Sequence, residues 1–127
     1  MRLSRTIRCL SVAALFGLAT ATASAAGSYG DGATSALRGD YKSAFEIWRT
    51  LAENGDPRAQ FNVGLMYHGG LFVDANEKKA LAWYQRAAAN GVPEAQEYLA
   101  VGYSEGWFGL PRNEIYAAYW QDKLDAR

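Results

Sequence analysis

Apolar residues recur along this chain with a helical period, and glycine and proline interrupt them at regular intervals. Ala59, Val63, Gly64 and Tyr67 stand at i, i+4, i+5 and i+8, one stripe of a helix. Ala80, Trp83, Tyr84, Ala87 and Ala88 make a second stripe. Gly55 and Gly91 follow helical patterns, where a left-handed residue ends a helix and glycine adopts that conformation without steric cost. Pro57 and Pro93 come two residues on, where a new helix can start because its first N–H has no intrahelical partner. Gly70 closes the helix that Pro57 opens. Asn76 and Asn113 stand where a side-chain oxygen caps the following helix, an effect worth about 1 kcal/mol. The pattern predicts five or six helices and no sheet: Tyr41–Glu53, Pro57–Tyr67, Glu77–Asn90, Glu94–Ser104 and Glu114–Asp125, with a short first helix at Asp31–Arg38.

These landmarks recur in step. Asn54 to Gln60 reads NGDPRAQ and Asn90 to Gln96 reads NGVPEAQ. At the same offset Lys42, Ala44 and Ala52 recur as Lys78, Ala80 and Ala88, Tyr67 as Tyr103 and Gly70 as Gly106. One residue is then inserted, after which Asn76, Glu77, Ala80 and Trp83 recur as Asn113, Glu114, Ala117 and Trp120. A period in the mid-thirties is the signature of a helix-pair solenoid.

The series Ala59-Gln60-x-x-Val63-Gly64-x-x-Tyr67-x-x-Gly70, followed by Lys79-Ala80-x-x-Trp83-Tyr84-x-x-Ala87-Ala88-x-x-Gly91, resembles the Sel1-like repeat, a relative of the tetratricopeptide repeat. Residues 39–55 resemble the second half of one repeat, 56–91 a complete repeat and 92–126 a divergent one, within a repeat domain spanning 39–127. The last copy departs at Ala100, which replaces the helix glycine, and in the loop Gly106-Trp107-Phe108-Gly109-Leu110. Phe72 stands where the family usually has a second glycine. The resemblance implies an all-α fold, an α/α superhelix of about two and a half helix-turn-helix repeats, whose first helices line a face that binds peptides or proteins. Two and a half copies are fewer than the three or so that suffice for a stable stack. Residues 26–38 are where a short helix would supply the missing half, and Gln121, Asp122, Lys123 and Asp125 would give the last helix a polar finish.

The start of the chain reads differently. Arg2, Arg5 and Arg8 form a basic head, Cys9 to Thr20 an apolar stretch, and Ala23-Ser24-Ala25 supplies small residues. Together they read as a secretory signal peptide over residues 1–25, since a membrane span needs roughly 20 apolar residues. Its cleavage would remove the only cysteine and three arginines from a chain whose 13 basic and 13 acidic residues balance. The expected product is a mildly acidic, thiol-free periplasmic or secreted protein, not inserted in the membrane. It lacks the basic patch that nucleic-acid binding requires.

Catalytic patterns are missing. His68 is the only histidine, and Ser28, Ser35, Ser43 and Ser104 lack a lysine three residues on. There is no H-E-x-x-H and no phosphate-binding glycine loop, and no ligand set for a metal or cofactor. The expectation is a binding protein, not an enzyme.

Candidate binding residues lie on two surfaces. With Ala59, Val63, Gly64 and Tyr67 facing inward, Arg58, Phe61, Leu65 and His68 form another stripe, and Glu94, Glu97 and Val101 take matching places in the next repeat. Phe61 and Leu65 would anchor a peptide, with Arg58 orienting an acidic group; an ordinary solvated face is the alternative. Asn62 could hold a ligand backbone or make a structural bond. Trp83 and Trp120 occupy equivalent helix positions and read as core, as does Trp48 in the register of Tyr84. Trp107 and Phe108 sit in a loop that either tucks beneath the helix ends or forms an apolar edge for a partner. The expected partner is a protein or peptide of the cell envelope. Weak self-association as a structural envelope component, or service as an enzyme accessory or inhibitor, are the competing roles.

Overall fold

The glycine-punctuated turns are helix stops of one construction. Gly55 and Gly91 take φ of 98° and 89°. The Gly55 N–H donates to the Ala52 carbonyl at 3.1 Å and the Asp56 N–H to the Leu51 carbonyl at 2.9 Å; Gly91 and Val92 repeat both bonds on Ala88 and Ala87. These bonds satisfy carbonyls that a helix end leaves open. Gly39 does the same, donating to Ala36 at 3.0 Å while Asp40 donates to Ser35 at 2.9 Å. A helix therefore precedes it.

The computed structural model describes residues 27–127. Six α-helices follow in order: α1 Tyr29–Leu37, α2 Tyr41–Glu53, α3 Pro57–Gly69, α4 Glu77–Ala89, α5 Pro93–Glu105 and α6 Glu114–Asp125. A short 3-10 turn, Trp107–Gly109, precedes α6. No strand occurs among the described residues. The segment read as a signal peptide lies outside them. No described helix is long and apolar enough to cross a membrane.

The repeat count changes. Helix α1 has its own capping box, in which Ser28 accepts from the Asp31 N–H and the Asp31 carboxylate accepts from the Ser28 N–H at 2.7 Å. It is a full first helix, so three helix pairs stack: α1–α2, α3–α4 and α5–α6. Helix α3 runs two residues past the expected stop at Tyr67, because the left-handed residue that ends it is Gly70. Helix α5 starts at Pro93, one residue before the sequence reading.

The first two pairs close on a glycine facing a ring. A Cβ on Gly32 would lie 2.4 Å from Trp48 Nε1, and one on Gly64 would lie 2.6 Å from Tyr84 Cε1. The third pair departs from this. Ala100 stands in the glycine place and Gln121 in the ring place, and both line one cleft between α5 and α6. Loss of the ring leaves room for the methyl. Ala44, Phe45, Trp48, Ala59, Val63 and Met66 form one buried cluster, and Ala80, Tyr84, Ala87, Ala95, Leu99 and Phe108 another. Tyr67 packs against both. Trp83 packs against the first cluster but is only half-buried, at its rim, with the Arg86 guanidinium 4.8 Å from its ring centre. Trp120 is likewise half-buried, whereas Trp48 is buried.

The loops between paired helices are tied from below. The Asn76 N–H donates to the Tyr67 carbonyl at 2.9 Å, and the Asn113 N–H to that of Tyr103 at 2.8 Å. Both asparagine side chains then cap α4 and α6 by accepting backbone N–H bonds.

Candidate partner-binding surface

The α3 row is partly spoken for by α1. The Arg58 guanidinium lies 4.2 Å from the centre of the Tyr29 ring, and the Asn62 amide donates to the Tyr29 hydroxyl at 2.9 Å. Of the two roles open to Asn62, the structural bond is the one made. Arg58 spends its cation on an aromatic face of its own chain. The missing signal was Tyr29, which stands before the stretch over which the copies align.

Further along the row the side chains turn into an aromatic cluster. Phe61 is half-buried, its ring 5.6 Å from Tyr84 and 5.7 Å from Tyr98. Leu65 packs against the same cluster. His68, exposed at the end of α3, has its imidazole 5.6 Å from the Phe108 ring. Phe108 is buried in the 3-10 turn with φ 57°, a left-handed conformation that costs a non-glycine residue roughly 1–2 kcal/mol. Burial of its ring against Tyr84 at 5.6 Å offsets that cost. Trp107 beside it is 44% exposed. The loop therefore splits: Phe108 tucks under the helix ends, and Trp107 stays partly exposed beside it.

His68, Tyr98, Trp107 and Phe108 line one cavity of about 340 Å³. The helix row and the loop edge, separate in the sequence reading, meet there. Tyr98 was not among the expected site residues, since the α3 stripe carried forward falls on Glu94, Glu97 and Val101. Glu94 and Glu97 are exposed on α5, and half-buried Val101 lines a different cleft of about 310 Å³ together with Ser104, Glu105, Glu114 and Gln121. The Tyr84 hydroxyl behind the cluster is buried without a hydrogen-bond partner. Burial, with Tyr98 adding to it, pushes its pKa well above the usual tyrosine range. No group of three metal-ligating side chains converges among the described residues. The site offers aromatic faces and shape.

The model of the Sel1 repeat family matches three times, over residues 12–56, 57–92 and 93–120. The chain belongs to the Sel1 repeat family. The second and third Sel1 matches open at Pro57 and Pro93, the first residues of α3 and α5, and the first match begins within the segment read as a signal peptide. The chitin synthase regulatory factor 3 of Schizosaccharomyces pombe is 30% identical over 87 residues, 68% of this chain and 9% of its own length. The chain thus spans a small fraction of that curated relative. A Sel1 repeat protein from Oxalobacter formigenes matches with a TM-score of 0.60 at 32% identity, covering 66% of this chain and 63% of that one. A protective antigen present in uropathogenic Escherichia coli strains, displaying an SLR fold, matches with a TM-score of 0.68 at 29% identity over 77% of this chain and 22% of its own.

The Sel1 register also explains two buried polar residues that the sequence marked only as identities. Gln60 donates to the Ala52 carbonyl at 3.1 Å, and Gln96 to that of Ala88 at 2.9 Å. Each amide oxygen accepts from the end of its own repeat: Gln60 from Asn90 at 3.0 Å, and Gln96 from Arg127. These glutamines rivet one repeat to the next and belong to the scaffold.

Proposed function

We propose that this protein is an exported adapter that binds a protein or peptide partner of the cell envelope, without catalysis. Its recognition surface combines Phe61, Leu65 and His68 on α3 with Trp107 and Phe108 in the turn before α6. The single observation that carries the reading is the cavity shared by His68, Tyr98, Trp107 and Phe108. Interfaces concentrate their energy in aromatic anchors seated in desolvated pockets, and here an exposed indole borders such a pocket. The name of the Schizosaccharomyces pombe relative, a regulatory factor of a synthase, fits a role in controlling another protein. Export rests on the pattern of residues 1–25 in the sequence.

The test places a photo-crosslinking amino acid at position 107 or, as a control, at exposed Lys78 in the full chain, produced in its own cell. A discrete adduct from position 107 alone, in the envelope fraction, is expected. Equal labelling from both positions, or none, sinks the binding site. Retention of residues 1–25 in the recovered protein sinks export.

A further inference from the structure

Arg58, the cation expected to orient an acidic group, is seated 4.2 Å from the centre of the Tyr29 ring. The next repeat reverses the charge at that place. In the register that aligns NGDPRAQ with NGVPEAQ, Glu94 stands for Arg58 and Tyr98 for Asn62. The register holds in space as well. Asn62 reaches back from α3 to Tyr29 on α1, and Tyr98 reaches back from α5 to Phe61 on α3, ring to ring at 5.7 Å. Between α1 and α3, an aromatic face meets a guanidinium of its own chain. Between α3 and α5, the matching place carries the exposed carboxylate Glu94 instead.

Elsewhere the chain seats its own cations on its rings. Arg86 lies 4.8 Å from the Trp83 ring centre, Lys79 5.3 Å from that of Tyr67 and Lys123 5.5 Å from that of Tyr119. Among the described residues, no lysine or arginine lies over Phe61, Tyr98, Trp107 or Phe108. Two basic side chains stand nearby. His68 meets the Phe108 ring edge to face, and Arg112, beyond the turn, donates to the Glu105 carbonyl at 3.4 Å. The exposed acids are Glu94, one turn before Tyr98, Glu97 beside it, and Glu105 at the end of α5. Helices α3 and α5 both end near the cavity, since His68 is in the last turn of α3 and Trp107 follows α5. Helix C-termini carry partial negative charge, which adds to that of the carboxylates.

We infer that the cavity lined by His68, Tyr98, Trp107 and Phe108 receives an arginine side chain from a basic segment of the partner. The inference rests on the reading of that cavity as the partner site, and it names the chemistry of what enters. A cation within about 6 Å of an aromatic ring centre is attracted by the ring's quadrupole, more strongly where water is excluded. Arginine suits the place better than lysine, because its planar, weakly hydrated guanidinium stacks on aromatic faces. The chain's own ring-bound arginines also sit closer, at 4.2 and 4.8 Å, than its lysines do, at 5.3 and 5.5 Å. The methylene stem of the side chain would pack on the apolar wall. Glu94 and Glu97 then attract further cations of the segment and repel an acidic one, so the carboxylates select the partner's charge.

The experiment titrates the purified full chain with a peptide of alternating glycine and arginine, and with its citrulline and glutamate counterparts, following amide shifts and tryptophan fluorescence. The arginine peptide should shift the amides of Tyr98, Trp107 and Phe108 and bind at least fivefold tighter than the neutral citrulline peptide. Glu94→Gln/Glu97→Gln should weaken it at least threefold with little change in Tm. Glu46→Gln/Asp122→Asn, an equal loss of charge from exposed places on α2 and α6, should not. No cavity shift at millimolar arginine peptide, or equal or tighter binding of either counterpart, overturns the inference. So does equal weakening by the two charge variants, which would make the attraction one of net charge alone. The adduct from position 107 separates this failure from that of the site. A captured segment without arginine overturns the inference and leaves the site standing, whereas absence of a discrete adduct removes both.

Discussion

The Asn90 side-chain amide donates to the buried Gln60 amide oxygen at 3.0 Å, tying the end of α4 to the start of α3. Gln60 in turn holds the last turn of α2 through the Ala52 carbonyl at 3.1 Å. One side chain thus joins three helices from two repeats.

Removing Gln60 leaves the Ala52 carbonyl and the Asn90 amide without that partner. Gln60→Leu should destabilise by about 1–3 kcal/mol, the penalty for stranding buried polar groups. Asn90→Ala, at an exposed end, should cost about 1 kcal/mol or less. Urea denaturation of both variants checks the order; an Asn90 effect exceeding that of Gln60 would contradict the bridging role.

Gly64→Ala should destabilise by about 1–3 kcal/mol, as overpacking does, because the added methyl would lie 2.6 Å from the Tyr84 ring. The third repeat carries the compensated pair, Ala100 with Gln121. Gly64→Ala combined with Tyr84→Gln should therefore cost less than the two single changes summed, a coupling that a double-mutant cycle measures. Strict additivity would show that glycine and ring do not constrain each other.

Tyr84→Phe removes a buried hydroxyl that has no partner. It should be neutral or stabilising, by up to about 1 kcal/mol. Burial raises the pKa of folded Tyr84 above its ordinary value of 10.0. The unfolded chain therefore releases this proton first, and the stability that neutral Tyr84 contributes is complete below pH 10 and falls as pH rises beyond it. Tyr84→Phe should flatten this alkaline decline in denaturant midpoints. Tyr84→Ala, in contrast, should cost about 3–5 kcal/mol, and Trp83→Ala at the rim clearly less.

Trp107→Ala should weaken partner binding by about 1–3 kcal/mol with only a small loss of Tm, since 44% of the residue is exposed. Phe61→Ala should lower both affinity and Tm, because its ring also supports Tyr84 and Tyr98. Arg58→Glu should act mainly on folding: it removes the cation above Tyr29, worth about 0.5–1 kcal/mol at an exposed site. Calorimetry and titration of the same three variants separate the effects. Normal binding by Trp107→Ala would exclude the loop from the site.

The helices, their stops and their repeat could be read from the chain because each depends on neighbours within a few residues. Gly55, Pro57, Asn76 and Gly91 act through the local backbone, and the 3.6-residue period of Ala59, Val63, Gly64 and Tyr67 declares a buried stripe without reference to its partner. Phe61 and His68 could be placed on one helix face for the same reason. Tertiary structure decided which of those side chains remain available, since that depends on residues distant in sequence. Tyr29 arrives from α1 to engage Arg58 and Asn62, a meeting that no spacing within α3 announces. Phe108 reaches His68 and Tyr84 because its backbone takes a left-handed conformation usually left to glycine. Phe72, at the matching place with φ 65°, stays 52% exposed on Phe45. Similar backbones give different burial because Phe108 meets the rings of Tyr84, His68 and Trp107, contributed by α4, α3 and the loop, whereas Phe72 rests on Phe45. Periodicity assigns a residue to a face; only packing shows what that face meets.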